Sequence, residues 1–369
     1  MKNKINFKLF SVACAVVTCS YSCKKSTTAP APAPQFNIMQ TNLVGDVAGS
    51  GAARVDAGLL NAWGLARNPA GPIWVGGNHS GLSTVYDATG ATVIPSVTIP
   101  AAAAGQTGSP TGVVFNGTAD FGGNKFLFAS EDGIISAWTS GTAAVKVADQ
   151  SQANAVYKGL AIAADGGNNF LYAANFKGNK IDVFDKNFNL VTTKPFADPN
   201  IPAGFAPFNI QCIGGQLYVT YAKQLAPNNE DDQGGPGNGY VDIFSPNGTL
   251  VKRFASQGTL NSPWGITMAP AGFANARATI LVGNFQDGKI NVFDMTGNYL
   301  GQLQNNGAVI TIQGLWALDF LKNGQPGSST DPLFFTAGPG GEAHGLFGTL
   351  TLYQPVATNP GQSNGGYGY

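Results

Sequence analysis

The sequence predicts an all-β fold: a six-bladed β-propeller with four-stranded blades, its ring closed by the N-terminal strand. Three observations predict it. A short signature of apolar and aromatic residues around a Gly or Asn recurs six times, and each recurrence is followed by paired β-rich runs. No window sustains the 3.6-residue period of an amphipathic helix. A period near 50 residues with about four short strands per unit is typical of a propeller.

The repeated signature is clearest where Trp63 precedes Gly64 and where Trp264 precedes Gly265. A single unit cannot bury both faces of its sheet, so we expect the six units to stack radially. The aligned positions are residues 64, 112, 159, 209, 265 and 314, with spacings of 48, 47, 50, 56 and 49.

Each signature leads into two strands joined by a turn. In the first unit, residues 73–75 lead through a turn at Asn78 to residues 82–87. Short β-rich runs bounded by Gly, Asn and Asp are typical of β-hairpins. The last unit lacks an outer strand, and residues 36–44 precede the first signature. We therefore expect this N-terminal segment to complete the sixth blade.

The start of the chain has the pattern of an export signal. A basic beginning is followed at residues 9–17 by an apolar run that is too short to span a bilayer. A small residue then precedes Cys23, which resembles the lipobox of bacterial lipoproteins. The resemblance implies a lipoprotein signal peptide at residues 1–22 and a lipid on Cys23. The alternative is a plain secretory signal.

These features predict the domain organisation and the location of the protein. Residues 23–35 form a Pro-rich tether behind the lipid, residues 36–354 a single propeller, and residues 355–369 a flexible Gly-rich tail. We expect an exported monomer that is held in a bacterial cell envelope by its N-terminal lipid. Lys24, which follows the lipidated Cys in place of Asp, favours the outer membrane.

The composition excludes several classes of protein. The chain has 369 residues, 20 basic and 20 acidic, and only 11% are charged while 43% are hydrophobic. A disordered chain needs more charge and fewer apolar residues. Without a basic excess, nucleic acid is not an expected partner. After removal of residues 1–22, Cys23 and Cys212 are the remaining cysteines. Because Cys23 is expected to carry the lipid, no structural disulfide is expected, and Cys212 is predicted to be a small core residue.

Several strings in the body of the chain resemble one family of proteins. Together they cover residues 42–352 and are similar to an uncharacterised family of exported bacterial six-bladed β-propeller proteins, whose members often carry a C-terminal sorting tail. More distantly, the blades resemble NHL-type and lactonase-type propellers. The resemblance implies the fold and no particular activity. The strings are NAWGLA at 61–66, ASEDG at 129–133, YVTYAK at 218–223, LNSPWG at 260–265, GLWAL at 314–318 and EAHGLFG at 342–348.

In a propeller, the loops that enter the innermost strands and the loops that join the second and third strands open on the same face. This face gathers both histidines of the chain and several of its aromatic residues. A polar mouth ringed by aromatic side chains is the usual form of a ligand site. The sequence therefore predicts a binding module for an unknown small molecule, glycan or envelope protein. The predicted ligand-binding residues are Trp63, Lys158, Phe208, Tyr221, Trp264 and His79.

The same face carries carboxylates that support an alternative function. Glu131 and Asp132 lie side by side in a Gly-bounded turn, and His344 follows Glu342 by two residues. Carboxylate and amide oxygens are ligands that calcium prefers, so calcium is the cofactor that this set could bind. The alternative is thus a metal-assisted hydrolase or lyase, similar to lactonases, at the central mouth. Its predicted catalytic residues are Glu131, Asp132 and His344, and its predicted metal ligands are Glu131, Asp132, Glu342, Asn175 and Asn284.

Structural interpretations of these residues remain open as well. Asn residues at equivalent turn positions often bond their own turn, and Trp before Gly is often a core residue. Lys158 occupies the place of Trp63 in the third unit and is expected to pair with Glu131 or Asp132, or to bind an anion. The fourth unit differs from the others by a long polar insertion at residues 222–239, and loops of that length are usually functional or disordered.

Overall fold

The computed structural model describes Met1, residues 37–322 and residues 327–353. The predicted signal peptide (apart from Met1), the tether and the Gly-rich tail lie outside the described residues.

Short 3-10 helices occur at Phe121–Gly123 and Ser151–Ala153, and the described residues contain no α-helix. The strands are β1 Ile38–Gly45, β2 Arg54–Val55, β3 Ala62–Arg67, β4 Ile73–Gly77, β5 Leu82–Tyr86, β6 Thr92–Thr98, β7 Pro110–Phe115, β8 Phe126–Ser130, β9 Ile134–Trp138, β10 Val145–Asp149, β11 Tyr157–Asp165, β12 Asn168–Asn175, β13 Lys180–Phe184, β14 Leu190–Val191, β15 Phe205–Ile213, β16 Gln216–Lys223, β17 Gly239–Phe244, β18 Leu250–Ser256, β19 Pro263–Ala269, β20 Thr279–Asn284, β21 Ile290–Asp294, β22 Tyr299–Gln302, β23 Gln304–Asn305, β24 Ala308–Val309, β25 Leu315–Asp319, β26 Leu333–Ala337 and β27 Leu346–Leu352.

The strands form six antiparallel blades in a ring, which confirms the predicted six-bladed propeller. Blades one to five are the consecutive sheets β3–β6, β7–β10, β11–β14, β15–β18 and β19–β22. The innermost strands β3, β7, β11, β15, β19 and β25 contact one another in that order, and β25 returns to β3. Because this circuit of contacts is closed, the six innermost strands surround a central axis.

The sixth blade combines both ends of the propeller. Its order is β25-β26-β27-β1, with the short β2 beside β1. Strand β1 runs antiparallel to β27, from Ile38 opposite Leu352 to Gly45 opposite Leu346. The expected ring closure by the N-terminal strand is therefore confirmed, with the strand beginning at Ile38.

A repeated aspartate turn connects the two outer strands of three blades. Asp87, Asp185 and Asp294 each accept hydrogen bonds from two backbone N–H groups two and four residues further along. The hydroxyls of Thr89 and Thr296 also donate to Asp87 and Asp294, and together with the backbone bonds they hold the pKa of these two aspartates below its ordinary value. In Asp185 burial raises the pKa, but the bonds from Asn187 and Asn189 outweigh it and lower the pKa. The Asp and Gly residues that bound the predicted hairpin strands in the sequence therefore form a defined turn in the structure.

The signature glycine allows neighbouring innermost strands to approach closely. A Cβ atom added to Gly64 would lie 2.3 Å from Thr111 O, and one added to Gly112 would lie 2.4 Å from Leu160 N. A Cβ on Gly265 would lie 2.5 Å from Trp316 O, and one on Gly159 would lie 2.2 Å from Asn209 Oδ1 and 2.8 Å from the Asn209 Cα. Backbone cannot move aside as a flexible side chain can, so the spacing of the ring at these points requires glycine.

The sixth signature lies three residues further along than the sequence alignment placed it. Each innermost strand has a β-bulge at the signature, and in β25 the bulge falls between Leu315 and Leu318. The backbone N–H of Ala317 donates to Thr336 Oγ1 at 3.0 Å, as that of Asn209 donates to Thr220 Oγ1 in blade four. Ala317 rather than Gly314 is thus the equivalent of Gly64.

Large apolar side chains fill the space between blades. Between blades one and two, Trp74 stacks on Phe126 with ring centroids 4.3 Å apart. Cys212 is a half-buried free thiol packed against the apolar cluster of blades three and four, and burial raises its pKa. Within the described residues, no helix is long and apolar enough to cross a membrane.

Candidate functional site

Six bulge residues, one from each innermost strand, meet at the propeller axis. Trp63 of blade one lies 6.2 Å from Trp264 of blade five, and Phe208 of blade four lies 5.8 Å from Trp316 of blade six, between ring centroids. Side chains from non-adjacent blades can contact only across the axis. None of the six side chains is more than 4% exposed, so they form a plug across the channel. The plug residues are Trp63, Thr111, Lys158, Phe208, Trp264 and Trp316.

The aromatic members of the plug are stacked and largely satisfied in hydrogen bonding. Trp316 lies between Trp63 and Phe285, with ring centroids 3.6 Å and 3.9 Å away. The Nε1 of Trp264 donates to Lys158 O at 2.8 Å, and the Nε1 of Trp316 donates to Asn61 Oδ1 at 3.0 Å. The Nε1 of Trp63 is buried and has no partner among the described residues.

A cavity of about 570 Å³ opens at the plug, and its lining comes from all six blades. The loops that join the second and third strands supply most of it, as the architecture predicts. Four of the lining side chains are carboxylic acids, against one lysine. The principal polar lining residues are Asn78, His79, Glu131, Lys158, Asp231, Asp232, Gln286, Gln313 and Glu342, with Trp63, Phe285 and Trp316 as aromatic lining.

Lys158 is the single charged residue of the plug. Its side chain is 3% exposed, and its ammonium forms ion pairs with Glu131 and, at 3.3 Å, with Asp231. Burial by itself lowers the pKa of a lysine, but the two carboxylates outweigh it and raise the pKa of Lys158 above its ordinary value. Asn78 Nδ2 donates to the second oxygen of Glu131 at 2.9 Å. The expected pairing of Lys158 with Glu131 is present.

Asn61 connects the plug to the cavity. Its backbone is left-handed, with φ of 47°, and its side chain is fully buried. The Nδ2 group donates to Glu342 Oε1 at 3.0 Å and lies 3.3 Å from both Asn78 Oδ1 and His79 Nε2. Because Asn61 Oδ1 also accepts a hydrogen bond from Trp316 Nε1, this one amide connects side chains of blade one with side chains of blade six.

Two carboxylic acids of the cavity have raised pKa values. Burial raises the pKa of Glu342, opposed by the Asn61 hydrogen bond and the charge of Lys158. Burial likewise raises the pKa of Asp232, which accepts a hydrogen bond from Gln286 Nε2 at 2.9 Å. The ion pairs found among the described residues include neither acid. Both are therefore more readily protonated than an ordinary carboxylic acid.

The blade-four insertion (residues 224–238, between β16 and β17) brings Asp231 and Asp232 to the cavity. Glu230 is paired with Lys177 of blade three at 2.6 Å, and the backbone N–H of Gly235 donates to Asn261 Oδ1 at 2.7 Å. The insertion is thus fastened on both sides of its own blade. The polar insertion that the sequence indicated is part of the site.

The structure brings some of the predicted site residues together. Trp63, His79, Glu131, Lys158 and Glu342 all line the cavity. Two other predicted ligand residues belong to the plug and do not line the cavity, namely Phe208 and Trp264.

Tyr221, Asp132 and His344 do not line the cavity. Tyr221 is buried in the apolar cluster between blades three and four. Asp132 turns away to accept from the Ala102 backbone N–H. The ring of His344 is about half exposed and pairs through Nδ1 with Asp46 at 2.9 Å. The predicted catalytic trio therefore contributes only Glu131 to the cavity.

The predicted metal ligands are not gathered at one point. Asn175 Nδ2 donates to Asp182 at 2.8 Å, and Asn284 Nδ2 donates to Thr259 O at 2.8 Å, so both amides stabilise their own blades. In the part of the chain that the structure describes, no group of three His, Cys, Asp or Glu residues is arranged to hold a metal ion. The structural interpretation of these asparagines fits the observed contacts.

Sequence reasoning did not single out several residues of the site. Trp316 was assigned to the wrong register, although it repeats the aromatic of Trp63. Asp231 and Asp232 lie in the insertion, whose length was the available signal. Phe285 follows the turn asparagine of blade five, and no sequence signal distinguished it.

The other end of the axis has different chemistry. A second cavity of about 560 Å³ is lined by the far ends of several innermost strands, including Arg67, Ile162 and Cys212. Asp319 borders it and accepts hydrogen bonds from the Leu321 backbone N–H at 2.7 Å and weakly from Gln211 at 3.5 Å. Burial raises the pKa of Asp319 to about 6.

The six blades around a plugged axis define the protein as a six-bladed β-propeller. An acid-rich cavity, lined by residues of all six blades, lies at one end of its axis. No model of a known protein family matches the chain. Two proteins of Acanthamoeba polyphaga mimivirus are similar to it along most of their length. The uncharacterized protein R648 is 33% identical over 328 residues, covering 83% of this chain and 78% of R648. The uncharacterized protein L690 is also 33% identical, covering 83% of each.

The chain belongs to the family of these mimivirus proteins. Solved structures of similar fold include a streptogramin B lyase (TM-score 0.52, 12% identity, 86% of this chain and 98% of that chain). A protein of unknown function from Bacteroides thetaiotaomicron has a TM-score of 0.53 at 12% identity, covering 85% and 76%. At such identity the likeness concerns the fold alone. The propeller fold of the expected family is confirmed, and its bacterial, exported character stays a prediction because these relatives are viral.

Proposed function

We propose that the protein is a binding protein that takes a small polar ligand into the cavity at the plugged mouth of the propeller. One observation carries the proposal: a cavity of about 570 Å³ whose polar lining converges from all six blades. Small-molecule sites commonly measure about 300 to 1,000 Å³ and contain a few well-placed polar groups.

The fixed geometry of the lining supports binding. Asn61 holds Glu342, and Asn78 holds Glu131, through hydrogen bonds of 3.0 Å and 2.9 Å. The plug beneath is closely packed, and its Trp316 ring is stacked between Trp63 and Phe285. A site that is already ordered loses little conformational entropy when a ligand binds.

The test is a ligand screen by thermal shift and calorimetry with sugars, amines and small carboxylates. Glu342→Gln changes the cavity while keeping an acceptor for Asn61, and Asp294→Asn makes the same charge change in an exposed outer turn. We expect hits whose affinity falls in Glu342→Gln and not in Asp294→Asn. Hits that bind equally to both variants and to the wild type would place binding elsewhere and contradict the proposal.

A second candidate is an acid–base enzyme, a lyase or hydrolase, at the same cavity. The specific observation is that two carboxylic acids of one cavity have different environments. Glu131 is ion-paired with Lys158, whereas burial raises the pKa of Glu342. Such a pair is the usual basis for dividing the roles of base and acid. One solved structure of similar fold is a streptogramin B lyase, which agrees with this candidate. At 12% identity the likeness is not itself an argument for lyase activity.

Turnover decides between the two candidates. A general acid contributes about 10² to 10⁴ in rate, so an enzyme that uses Glu342 would lose about that factor in Glu342→Gln while still binding its substrate. Ligands recovered chemically unchanged from the wild-type protein would favour binding alone. Calcium and a chelator are included, because a melting temperature that responds to both would restore the metal-assisted form of this candidate.

We propose in addition that the propeller is exported, monomeric and held at a membrane by a lipid on Cys23. The small residue before Cys23 and the Pro-rich residues after it support this proposal. Expression of the full chain in a bacterial host with a labelled fatty acid tests it. Label in the wild type and none in Cys23→Ser is the expected result, and a soluble, unlabelled wild-type protein would contradict it.

A further inference from the structure

The cavity contains more negative than positive groups. Glu131, Asp231, Asp232 and Glu342 line it against one lysine, and Lys158 is already paired with the first two. Asp232 and Glu342 have no cationic partner among the described residues. Both side chains are partly exposed. A partly buried carboxylate without a counter-ion is favoured by a nearby cation, because partial desolvation disfavours its charged form.

The plug contains a hydrogen-bond donor without an acceptor. Trp63 lines the cavity, its side chain is 2% exposed, and its Nε1 has no partner in the described part of the chain. The equivalent indoles of Trp264 and Trp316 both donate to protein oxygens. A buried N–H that lacks an acceptor is an unusual feature of a folded protein. A ligand oxygen at the floor of the cavity would supply the missing acceptor.

The arrangement of the acids favours an organic cation over a metal ion. A metal needs several ligands around one point, and no such group of acidic, His or Cys side chains is found in the described residues. The amides of Gln286 and Gln313 also line the cavity and are suited to hydroxyl groups. An extended ligand with separate amine and hydroxyl groups can satisfy such a dispersed set.

We propose that the cavity binds a saccharide that carries primary amines, an amino sugar, with amines on Glu342 and Asp232 and a sugar oxygen on Trp63 Nε1. The proposal rests on the proposed binding function and specifies its ligand. The partly exposed ring of Phe285, which lines the cavity, completes the site, since sugar rings pack well on aromatic side chains.

The probes are the disaccharide of glucosamine and its di-N-acetylated counterpart, measured by calorimetry with the full chain. They share one ring skeleton, and only the first carries ammonium groups. We expect the amine form to bind at least about tenfold more tightly, the size of one charge-assisted hydrogen bond. Added salt should weaken binding of the amine form and leave the acetylated form unchanged.

Three variants separate the parts of the proposal. Glu342→Gln and Asp232→Asn keep the shape of each side chain and should each weaken the amine disaccharide about tenfold. Asp294→Asn is the matched control and should bind as the wild type does. Trp63→Phe removes the Nε1 donor and keeps an aromatic ring, so it should weaken both disaccharides equally. Melting temperatures confirm that each variant is folded.

The outcomes distinguish this inference from the proposed function. Equal binding of the two disaccharides, weakened by Trp63→Phe, would overturn the requirement for amines and leave the binding function supported. Binding of neither would overturn the amino-sugar assignment. The binding function would then be tested separately by the ligand screen, in which affinity that falls in Glu342→Gln supports it.

Discussion

The ammonium of Lys158 lies 5.2 Å from the ring centroid of Trp63, although the two residues belong to blades three and one. They occupy equivalent bulges of the repeated signature, so the same backbone position supplies a cation in one blade and its aromatic partner in another. A cation held over an indole gains about 0.5 to 2 kcal/mol, more when desolvated. The residue at this repeated position differs between blades. It therefore supplies both the aromatic side chains that fill the axis and the lysine that places a positive charge there.

Replacement of Lys158 by Met should destabilise the propeller by about 2 kcal/mol, because Glu131 would be left without its buried counter-ion. The expected loss is smaller than for a fully buried pair, since the Glu131 side chain is 27% exposed. Denaturant unfolding of the single variant measures it.

The double variant Lys158→Met, Glu131→Gln is the control for that experiment. Removing both charges should recover most of the lost stability, because the other ion-pair partner of Lys158, Asp231, has a side chain that is 75% exposed and stays solvated without it. A double variant whose loss equals the sum of the two single losses would mean that the ion pair contributes nothing.

Replacement of Gly112 by Ala should cost about 3 kcal/mol or more, because the new Cβ would lie 2.4 Å from Leu160 N in the next blade. Gly76 is a matched control in a neighbouring strand: its Cβ would lie 3.6 Å from the nearest atom, an ordinary contact. Gly76→Ala should change the free energy of unfolding by less than about 1 kcal/mol. Similar melting temperatures for the two variants would contradict the close approach of the innermost strands.

Replacement of Asp319 by Asn should stabilise the protein above pH 6. Burial raises the pKa of Asp319 from 3.8 to about 6, so the folded protein holds this proton more tightly than the unfolded chain does. The stability that the carboxyl contributes is complete below about pH 4 and is lost as the pH rises to about 6.

The difference between Asp319→Asn and the wild type should therefore grow between pH 4 and 6 and then stay constant at about 1 to 2 kcal/mol. That figure allows for the partial solvent contact of the residue. Unfolding in urea at a series of pH values measures the difference, and a difference that is independent of pH would contradict it.

Replacement of Ile38 by Ala should cost about 2 to 4 kcal/mol, because this fully buried side chain in β1 belongs to the core of the sixth blade. Met39 is the next residue of the same strand and is 45% exposed. Met39→Ala should be nearly neutral, since it faces solvent. Equal losses in thermal melts of the two variants would mean that β1 is not held by its buried face.

The sequence contained enough information for the fold because the repeat is a local pattern. The glycines, the aspartate turns and the paired strands follow one another at short range in every unit. Six copies of a weak signal predict one architecture more firmly than any single copy could. Ring closure by residues 36–44 followed from counting strands, and required no knowledge of contacts.

The site was less predictable because it depends on register and orientation. A shift of three residues separates Gly314 from Ala317, and it decided whether Trp316 was assigned to the axis. Asp132 and Glu131 are adjacent in sequence, yet one turns to a backbone N–H and the other to Lys158. Neighbouring side chains in a turn point in different directions, and sequence spacing alone does not record which.

The pairing of β1 with β27 also has a consequence for how the protein is made. During synthesis β1 leaves the ribosome early, whereas the strand that completes its hydrogen bonds is among the last to follow. Until then β1 is an open edge that invites intermolecular pairing. The hydrogen-bonding edge of β1 stays unpaired throughout translation, so we expect chaperones to be needed at β1 until β27 emerges.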